Sequence, residues 1–174
     1  MPRVIEVIPY QPEWVEQFER EQDRIMSVLS DIAIAVHHIG STSVPDLAAK
    51  PIIDILLECE SLTALDERSA KLADIGYEAK GEFGIPRRRY FQKGGNQRSH
   101  HMHAFVFDDT EVHRHLAFRD YLRVHPDVAQ QYADIKQQAA EYANHDSQRY
   151  CDFKDSFVKQ TEQQVLRWKA DHHA

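Results

Sequence analysis

The feature that constrains the fold most is an almost wholly apolar run at residues 52–57, which contains a single acidic residue, Asp54. Such a run is typical of a β-strand that is buried on both faces, because a strand with one solvated face alternates apolar and polar side chains. A carboxylate inside it is costly unless it is paired, hydrogen-bonded or bound to a metal. We favour catalysis or metal ligation for Asp54 over a structural ion pair with Lys50 or an arginine.

A turn precedes this strand at residues 38–45, which read His-Ile-Gly-Ser-Thr-Ser-Val-Pro and are called the serine turn below. Gly40 allows the backbone to approach a phosphate closely, and the start of a following helix presents unpaired N–H donors. Ser41 and Ser43 add hydroxyl groups, and Lys50 is expected at the mouth of the same pocket. An ordinary strand-to-helix turn with a serine cap is the alternative. With the acidic strand, the turn has the layout of a nucleotidyl-transfer site.

Two histidines, His101 and His103, are separated by one residue on a predicted strand. Their side chains share a face because strand side chains alternate, and their roots lie roughly 6 to 7 Å apart. Both rings can converge on one ion and, with Asp54, form a two-histidine, one-carboxylate site that suits Mn, Fe or Zn. The alternative packs one ring against Phe105 and leaves the other in solvent.

A basic stretch interrupts this otherwise acidic chain and comprises Arg87, Arg88, Arg89, Lys93 and Arg98, with no acidic residue between them. Strand alternation sends Arg87 and Arg89 to one face and Arg88 to the other, which favours the first two as a clamp for a triphosphate or another anion. A charged edge strand that resists aggregation explains the same stretch equally well.

The remaining periodicity predicts an α+β fold, in which a mixed β-sheet is flanked by helices and followed by a C-terminal helical segment. Further strands are predicted at residues 4–8, 32–39, 77–80, 88–92 and 101–107. Helices are predicted at residues 13–30, 62–75, 111–124, 128–144 and 148–170, with a short helix or turn at 43–49. We expect one domain over residues 1–174, with the sheet core in 1–109 and the helical part in 110–174.

Composition limits the classes of ligand and the cellular location expected for this chain. The formal net charge of −7 disfavours bulk nucleic acid and anionic membranes as ligands. Cys59 and Cys151 are far apart and fit neither a disulfide framework nor a zinc knuckle. No apolar run approaches the roughly 18 residues that span a bilayer, and no leader pattern opens the chain. We expect a cytoplasmic protein with reduced thiols and a small nucleotide or phosphorylated ligand.

Taken together, these motifs resemble the GrpB family. The resemblance covers nearly the whole chain and implies a polymerase-beta-like nucleotidyltransferase fold, with some members similar to domains joined to dephospho-CoA kinase. Carried over, Gly40 and Ser41 match the phosphate-holding pair of that superfamily, and Asp54 matches the first acid of its Asp-x-Asp/Glu strand. The matching segments are residues 38–45, 47–55, 76–77, 89–91, 101–103, 118–122 and 132–136.

The sequence departs from that pattern at the second acid, whose place is taken by Leu56. The usual pair of carboxylates for two magnesium ions is therefore missing. Glu58 lies on the same strand face as Asp54 but roughly 13 Å away, too far to chelate the same ion. The third acid of the superfamily comes from a later strand, where this chain has His101 and His103.

The leading hypothesis is metal-assisted transfer of a nucleotidyl or phosphoryl group to a small acceptor. Asp54 and a divalent metal (Mg, Mn or Zn) would polarise the transferred group, and the serine turn with Arg87 and Arg89 would hold its phosphates. His38 would be a general base or a wall of the pocket. Two alternatives stay open: a non-catalytic nucleotide- or anion-binding sensor or partner domain, and a metal-dependent phosphoester hydrolase.

Overall fold

The structure, a computed structural model, describes residues 7–95, 97–142, 163–165 and 167–168. A five-stranded mixed sheet carries helices on both faces, which confirms the predicted α+β fold. The strands are β1 (Ala33–Ile39), β2 (Ile53–Cys59), β3 (Tyr77–Ala79), β4 (Arg89–Lys93) and β5 (His100–Val106). The helices are α1 (Glu13–Val28), α2 (Leu62–Asp66), α3 (Ser69–Asp74), α4 (Thr110–Val124) and α5 (Pro126–Tyr142).

The strand order in the sheet is β1-β2-β5-β4-β3. The pair β2 and β5 is parallel, and the other pairs are antiparallel. The parallel register sets Asp54 opposite His101 and Leu56 opposite His103. Because paired residues point to the same side of a sheet, the acidic residue and both histidines lie on one face.

The two faces of the sheet are packed differently. On the face covered by α1 to α3, alternate β2 residues such as Ile55 and Leu57 join Phe18 and Ile25 in the largest hydrophobic cluster. On the opposite face, a smaller cluster contains Leu56 and is covered by α4. Asp54 lies beyond that cover, with 30% of its side chain exposed. The open end of this second face is where a ligand has access to the sheet.

Several predicted elements differ in detail from the structure. The predicted helix at 62–75 is divided into α2 and α3, with Arg68 between them pairing with Asp31. In place of the short helix or turn expected at 43–49, a 3-10 turn spans Ser41–Ser43 and a turn follows at residues 45–46. Of the predicted first strand, Ile8 forms an isolated bridge with Ala49, while residues 4–6 lie outside the described part.

The end of the chain is described only in part. The predicted helix at 148–170 is seen as helical residues 163–165 and 167–168, and its remainder lies outside the described residues. Cys151 also lies outside them, whereas Cys59 is buried with a free thiol. No helix among the described residues is long and apolar enough to cross a bilayer.

The buried carboxylate of Glu21 links α1 to the edge of the sheet formed by β3 and β4. Glu21 accepts hydrogen bonds from the Tyr77 hydroxyl at 2.7 Å and from Lys93 Nζ at 2.9 Å. Burial raises the pKa of Glu21, but these hydrogen bonds outweigh burial and leave the pKa below its ordinary value. The carboxylate therefore stays ionised and links α1 to β3 and β4.

Replacing the buried carboxylate by an amide tests this link. We expect Glu21→Gln to lower the free energy of unfolding by about 2 to 4 kcal/mol, because Lys93 loses its countercharge in a largely buried position. Glu78→Gln is the matched control, since Glu78 is exposed and pairs with Lys80 at the surface, and it should cost less than about 1 kcal/mol. Urea denaturation followed by circular dichroism measures both; equal losses would contradict a structural role for the Glu21 cluster.

Candidate functional site

Asp54 lies between His101 and His103, two of the three histidines of β5. Its Oδ1 is 3.5 Å from Nδ1 of His101 and 3.8 Å from Nε2 of His103. Burial raises the pKa of Asp54, but its interactions with the two imidazoles outweigh burial and hold that pKa well below its usual range. The structure therefore brings together the three residues predicted to share a site, which we call the Asp54 site, around an ionised carboxylate.

Two arginines contact the outer nitrogens of the same imidazoles. Arg98 Nη1 is 3.1 Å from Nε2 of His101, and Arg88 Nη1 is 3.3 Å from Nδ1 of His103. A guanidinium can only donate, so both outer nitrogens accept, and this network assigns a proton to each inner nitrogen that faces Asp54. Burial lowers the pKa of His101, consistent with a neutral ring. Each imidazole thus turns an N–H toward the carboxylate, with ring nitrogens 3.5 and 3.8 Å from its Oδ1.

These groups also form the donor set expected for a metal. Their separations of 3.5 and 3.8 Å are close to the roughly 3.4 Å between ligands of a tetrahedral ion with bonds near 2.1 Å. Metal-binding nitrogens must, however, be free of protons. Across the residues that the structure describes, no group of three His, Cys, Asp or Glu side chains is arranged as a ready metal centre. An ion could bind here only if it displaced both ring protons and the Arg88 and Arg98 contacts.

The serine turn lies directly against Asp54. Gly40 has a φ of +73°, and a Cβ atom placed on it would lie 2.5 Å from Oδ2 of Asp54. Only glycine fits this position. The buried Ser43 hydroxyl donates to the Gly40 carbonyl at 2.5 Å, so Ser43 stabilises the turn and does not face a ligand as predicted. Ser41 is half-buried and remains the serine at the surface of the turn.

A small cavity of about 70 Å³ opens between the turn and the acidic strand. The structure places four of the predicted site residues in its lining and adds an aromatic residue of α5. The lining includes Gly40, Ser41, Lys50, Asp54 and Tyr132. A phosphate group held at the turn would therefore be adjacent to the Asp54 carboxylate.

His38 does not have the position expected of a catalytic base. It pairs with Ile55 in the sheet, so its ring lies on the face covered by α1 to α3, away from Asp54. The ring stacks on Phe18 with centroids 4.8 Å apart, and its Nε2 is 2.9 Å from the Thr42 hydroxyl. Burial lowers the pKa of His38 to about 4. His38 therefore supports the serine turn from behind.

Arg87 and Arg89 are also placed differently from the prediction. Arg89 pairs with Ala104 on the face covered by α1 to α3, and it binds Asp66 at 2.8 Å. Arg87 precedes β4 with a φ of +67° and binds Asp109, beyond the far end of β5, at 3.0 Å. Neither guanidinium reaches the serine turn. Alternation correctly put Arg88 and Arg89 on opposite faces, but Arg87 precedes the strand and does not follow its alternation, and the pattern could not tell which face of the sheet carries the site.

Arg88, like Arg98, is an arginine of this stretch that reaches the site. It is buried, and its guanidinium carbon lies 4.8 Å from the centre of the Tyr90 ring. The His103 ring that it contacts also packs beside His115 of α4, with centroids 5.6 Å apart. Burial lowers the pKa of His115 to about 3, so that ring is neutral as well.

Sequence reasoning missed the face of α4 that carries His115, Arg119 and Arg123. Arg119 Nη1 donates to the His38 carbonyl at 3.3 Å, and Arg123 Nε donates to the Ser43 carbonyl at 3.0 Å. Both guanidiniums thus place positive charge at the serine turn. The available signal was their spacing of four residues on a predicted helix, which puts all three side chains on one side.

Comparisons with known proteins show which family this chain matches. The family model described as GrpB protein matches residues 4–164. The UPF0157 protein YqkA of Bacillus subtilis is 46% identical over 167 residues, covering 96% of this chain and 49% of YqkA. A dephospho-CoA kinase of Mycolicibacterium paratuberculosis is 29% identical over 189 residues, covering 94% of this chain and 46% of the kinase. The chain spans about half the length of each of these relatives.

Solved structures give the same picture of the fold. The crystal structure of conserved protein GrpB from Enterococcus faecalis is similar with a TM-score of 0.89 and 46% identity, covering 93% of this chain and 98% of that one. The structure of Cid1 in complex with its short product ApU has a TM-score of 0.54 and 17% identity, covering 76% of this chain and 42% of Cid1. At that identity the likeness concerns the fold alone, and it confirms the fold class expected from the sequence.

The close packing of the turn predicts a strong effect of one methyl group. We expect Gly40→Ala to lower the free energy of unfolding by at least about 3 kcal/mol, because it combines backbone strain with a clash against Asp54. Gly81→Ala is the control: Gly81 has a φ of +63°, but no atom lies within 4 Å of the position its new methyl group would take, so about 1 kcal/mol of strain remains. Similar losses in both variants, measured by thermal denaturation, would contradict the contact.

Burial of His38 predicts a loss of stability in acid. Since burial lowers its pKa to about 4 from 6.5, the neutral ring stabilises the fold above pH 6.5, and this contribution is lost as the pH falls towards 4. The gap corresponds to roughly 3 kcal/mol. His115 acts in the same direction. Urea denaturation between pH 7.5 and 4.5 should show a smaller pH dependence in His38→Gln; an unchanged dependence would contradict the neutral buried ring.

Proposed function

The chain belongs to the GrpB family and has a nucleotidyltransferase-like fold, and from this premise we propose that it transfers a nucleotidyl or phosphoryl group to a small acceptor at the Asp54 site. The observation that carries the proposal is the contact between the serine turn and the acidic strand. The Gly40 backbone lies so close to the Asp54 carboxylate that no side chain fits between them. A phosphate on the turn would be presented directly to the carboxylate.

Several residues around the cavity would hold phosphates, each with a different kind of donor. Gly40 and Ser41 offer backbone and hydroxyl donors, and Lys50 adds a cation to the cavity lining. Arg119 and Arg123 of α4 contribute positive charge at the turn, which is the role predicted for Arg87 and Arg89. Such fixed donors are worth more in a partly desolvated cavity than in water.

Asp54 is better suited to binding than to proton abstraction. Its pKa is held well below the usual range, so the carboxylate is a weak base at neutral pH. It can accept a hydrogen bond from an acceptor hydroxyl or hold a cation. A divalent ion bound by Asp54, His101 and His103 would supply charge neutralisation for the transferred group. Arg88 and Arg98 orient the two imidazoles when no ion is bound, and binding of an ion would break these contacts.

A specific observation favours a second candidate, non-catalytic binding of a nucleotide or another anion. Leu56, in the place of the superfamily's second acid, is 0% exposed and packs with Phe105 and Val112 under α4. A second carboxylate has no polar surroundings there. A sensor or partner domain would bind its ligand at the serine turn but would not catalyse transfer. Phosphoester hydrolysis uses the same residues with water as acceptor and differs only in its products.

Removal of the carboxylate separates these candidates. Purified protein is mixed with labelled nucleoside triphosphates, Mg, Mn or Zn, and a pool of small-molecule acceptors, and pyrophosphate release is measured. We expect Asp54→Asn to reduce release by about 100-fold or more, because a charge at the transferred group is lost. Glu58→Gln is the matched control, since Glu58 lies on the same strand face but pairs with His37 at 2.5 Å.

Metal titration of the same variants provides the second readout. Uptake by the wild type should be lost in Asp54→Asn, because a ligand is removed, and kept in Glu58→Gln. No pyrophosphate release under any condition, with nucleotide binding unchanged in Asp54→Asn, would contradict transfer and support the sensor. Free phosphate or nucleotide in place of an acceptor adduct would support the hydrolase.

A further inference from the structure

An exposed aromatic ring lies at the opposite side of the Asp54 site from the serine turn. Phe83, in the loop between β3 and β4, is 58% exposed and stacks on Tyr90 with centroids 5.1 Å apart and planes 18° apart. The buried Tyr90 ring in turn contacts His101 and His103, at centroid distances of 5.7 and 5.2 Å. Aromatic rings therefore run without a break from the imidazoles beside Asp54 to the solvent.

The backbone is strained to hold Phe83 in this place. Its φ is +50°, which is uncommon for a bulky residue. The buried Arg88 secures the loop, because its Nε donates to the Glu82 carbonyl at 3.1 Å and its Nη2 donates to the Phe83 carbonyl at 2.8 Å. Strain of this kind persists where the surroundings impose it, and it concentrates at ligand-binding positions. An exposed apolar ring with no binding role would not need such support.

The order of the strands indicates which substrate of a transfer reaction this ring can bind. On the face of the site, the sequence across the sheet is the serine turn after β1, Asp54 on β2, the imidazoles on β5 and Tyr90 on β4. In phosphoryl transfer the attacking and leaving oxygens are roughly in line. A leaving group held at the serine turn requires the attacking group on the β5 and β4 side. Two strand spacings, roughly 10 Å, separate Asp54 from the Tyr90 strand.

We propose that Phe83 forms the acceptor-binding surface, and that the acceptor carries a planar aromatic ring joined by a short linker to its attacking hydroxyl. This inference rests on the proposed transfer reaction. The acceptor oxygen forms a bond to the α-phosphorus, the bond from that phosphorus to the bridging oxygen breaks, pyrophosphate leaves with the electron pair, and the hydroxyl proton passes to solvent. Nucleosides have these dimensions and are the simplest probes.

Adenosine and ribose form a matched pair, because both carry the sugar hydroxyls and only adenosine carries a ring. In ligand-observed NMR titrations, the wild type should bind adenosine about 10-fold more tightly than ribose. Phe83→Leu should weaken adenosine binding about 5- to 20-fold and leave ribose unchanged, whereas Phe83→Tyr should retain binding. Phe107→Leu is the control: Phe107 is 51% exposed, just beyond the end of β5 remote from His101, and should have no effect. Equal binding of both probes, or adenosine binding insensitive to Phe83, would overturn the proposal.

A non-hydrolysable ATP analogue distinguishes the acceptor from the donor. Adenosine should bind with the same affinity when the analogue is saturating; mutual displacement would place the donor base on Phe83 and overturn the acceptor assignment. Pyrophosphate release that is equally fast in Phe83→Leu, with aromatic and aliphatic acceptors alike, would overturn the acceptor surface and leave the transferase. Phe83-dependent adenosine binding without any pyrophosphate release would overturn the transferase and support Phe83 as a ring-binding surface.

Discussion

Parallel pairing between β2 and β5 sets the Asp54 carboxylate against two imidazole rings, and the arrangement of the site depends on it. Desolvation alone would favour a neutral acid at this position in an apolar strand. Interactions with two imidazoles, each of which contacts an arginine through its outer nitrogen, outweigh that cost and keep the group ionised. A shift of one residue in register would send Asp54 to the opposite, apolar face.

The two faces of the sheet differ in how completely they are covered. One face buries most of the apolar side chains and holds a buried charged cluster around Glu21. The other is covered by α4 only over Leu56 and its neighbours, which leaves the end with Asp54 accessible. Gly40 connects the faces, because its turn is supported by His38 on one side of the sheet and contacts Asp54 on the other.

Much of this site could be predicted from local patterns. An apolar run with one acid, a Gly-Ser turn and a His-x-His strand each carry their own signal, and period-two alternation correctly puts both histidines on one face. The errors share one cause. Alternation separates Arg88 from Arg89 and His38 from its neighbours, but it does not state which side of the sheet binds ligands. Arg119 and Arg123 were missed because the partner of a helix face depends on how the helix packs.

By itself, the sequence determined the strand and helix pattern, the glycine at the turn and the identity of the groups able to carry phosphate chemistry, because these depend on local sterics and side-chain period. Only the tertiary structure decided that Asp54, His101 and His103 meet, that Arg88 replaces Arg87 and Arg89 beside them, and that Phe83 stands at the edge of the site. The physical reason is that strand order, register and the packing of α4 are set by contacts between residues far apart in the chain, which no local pattern encodes.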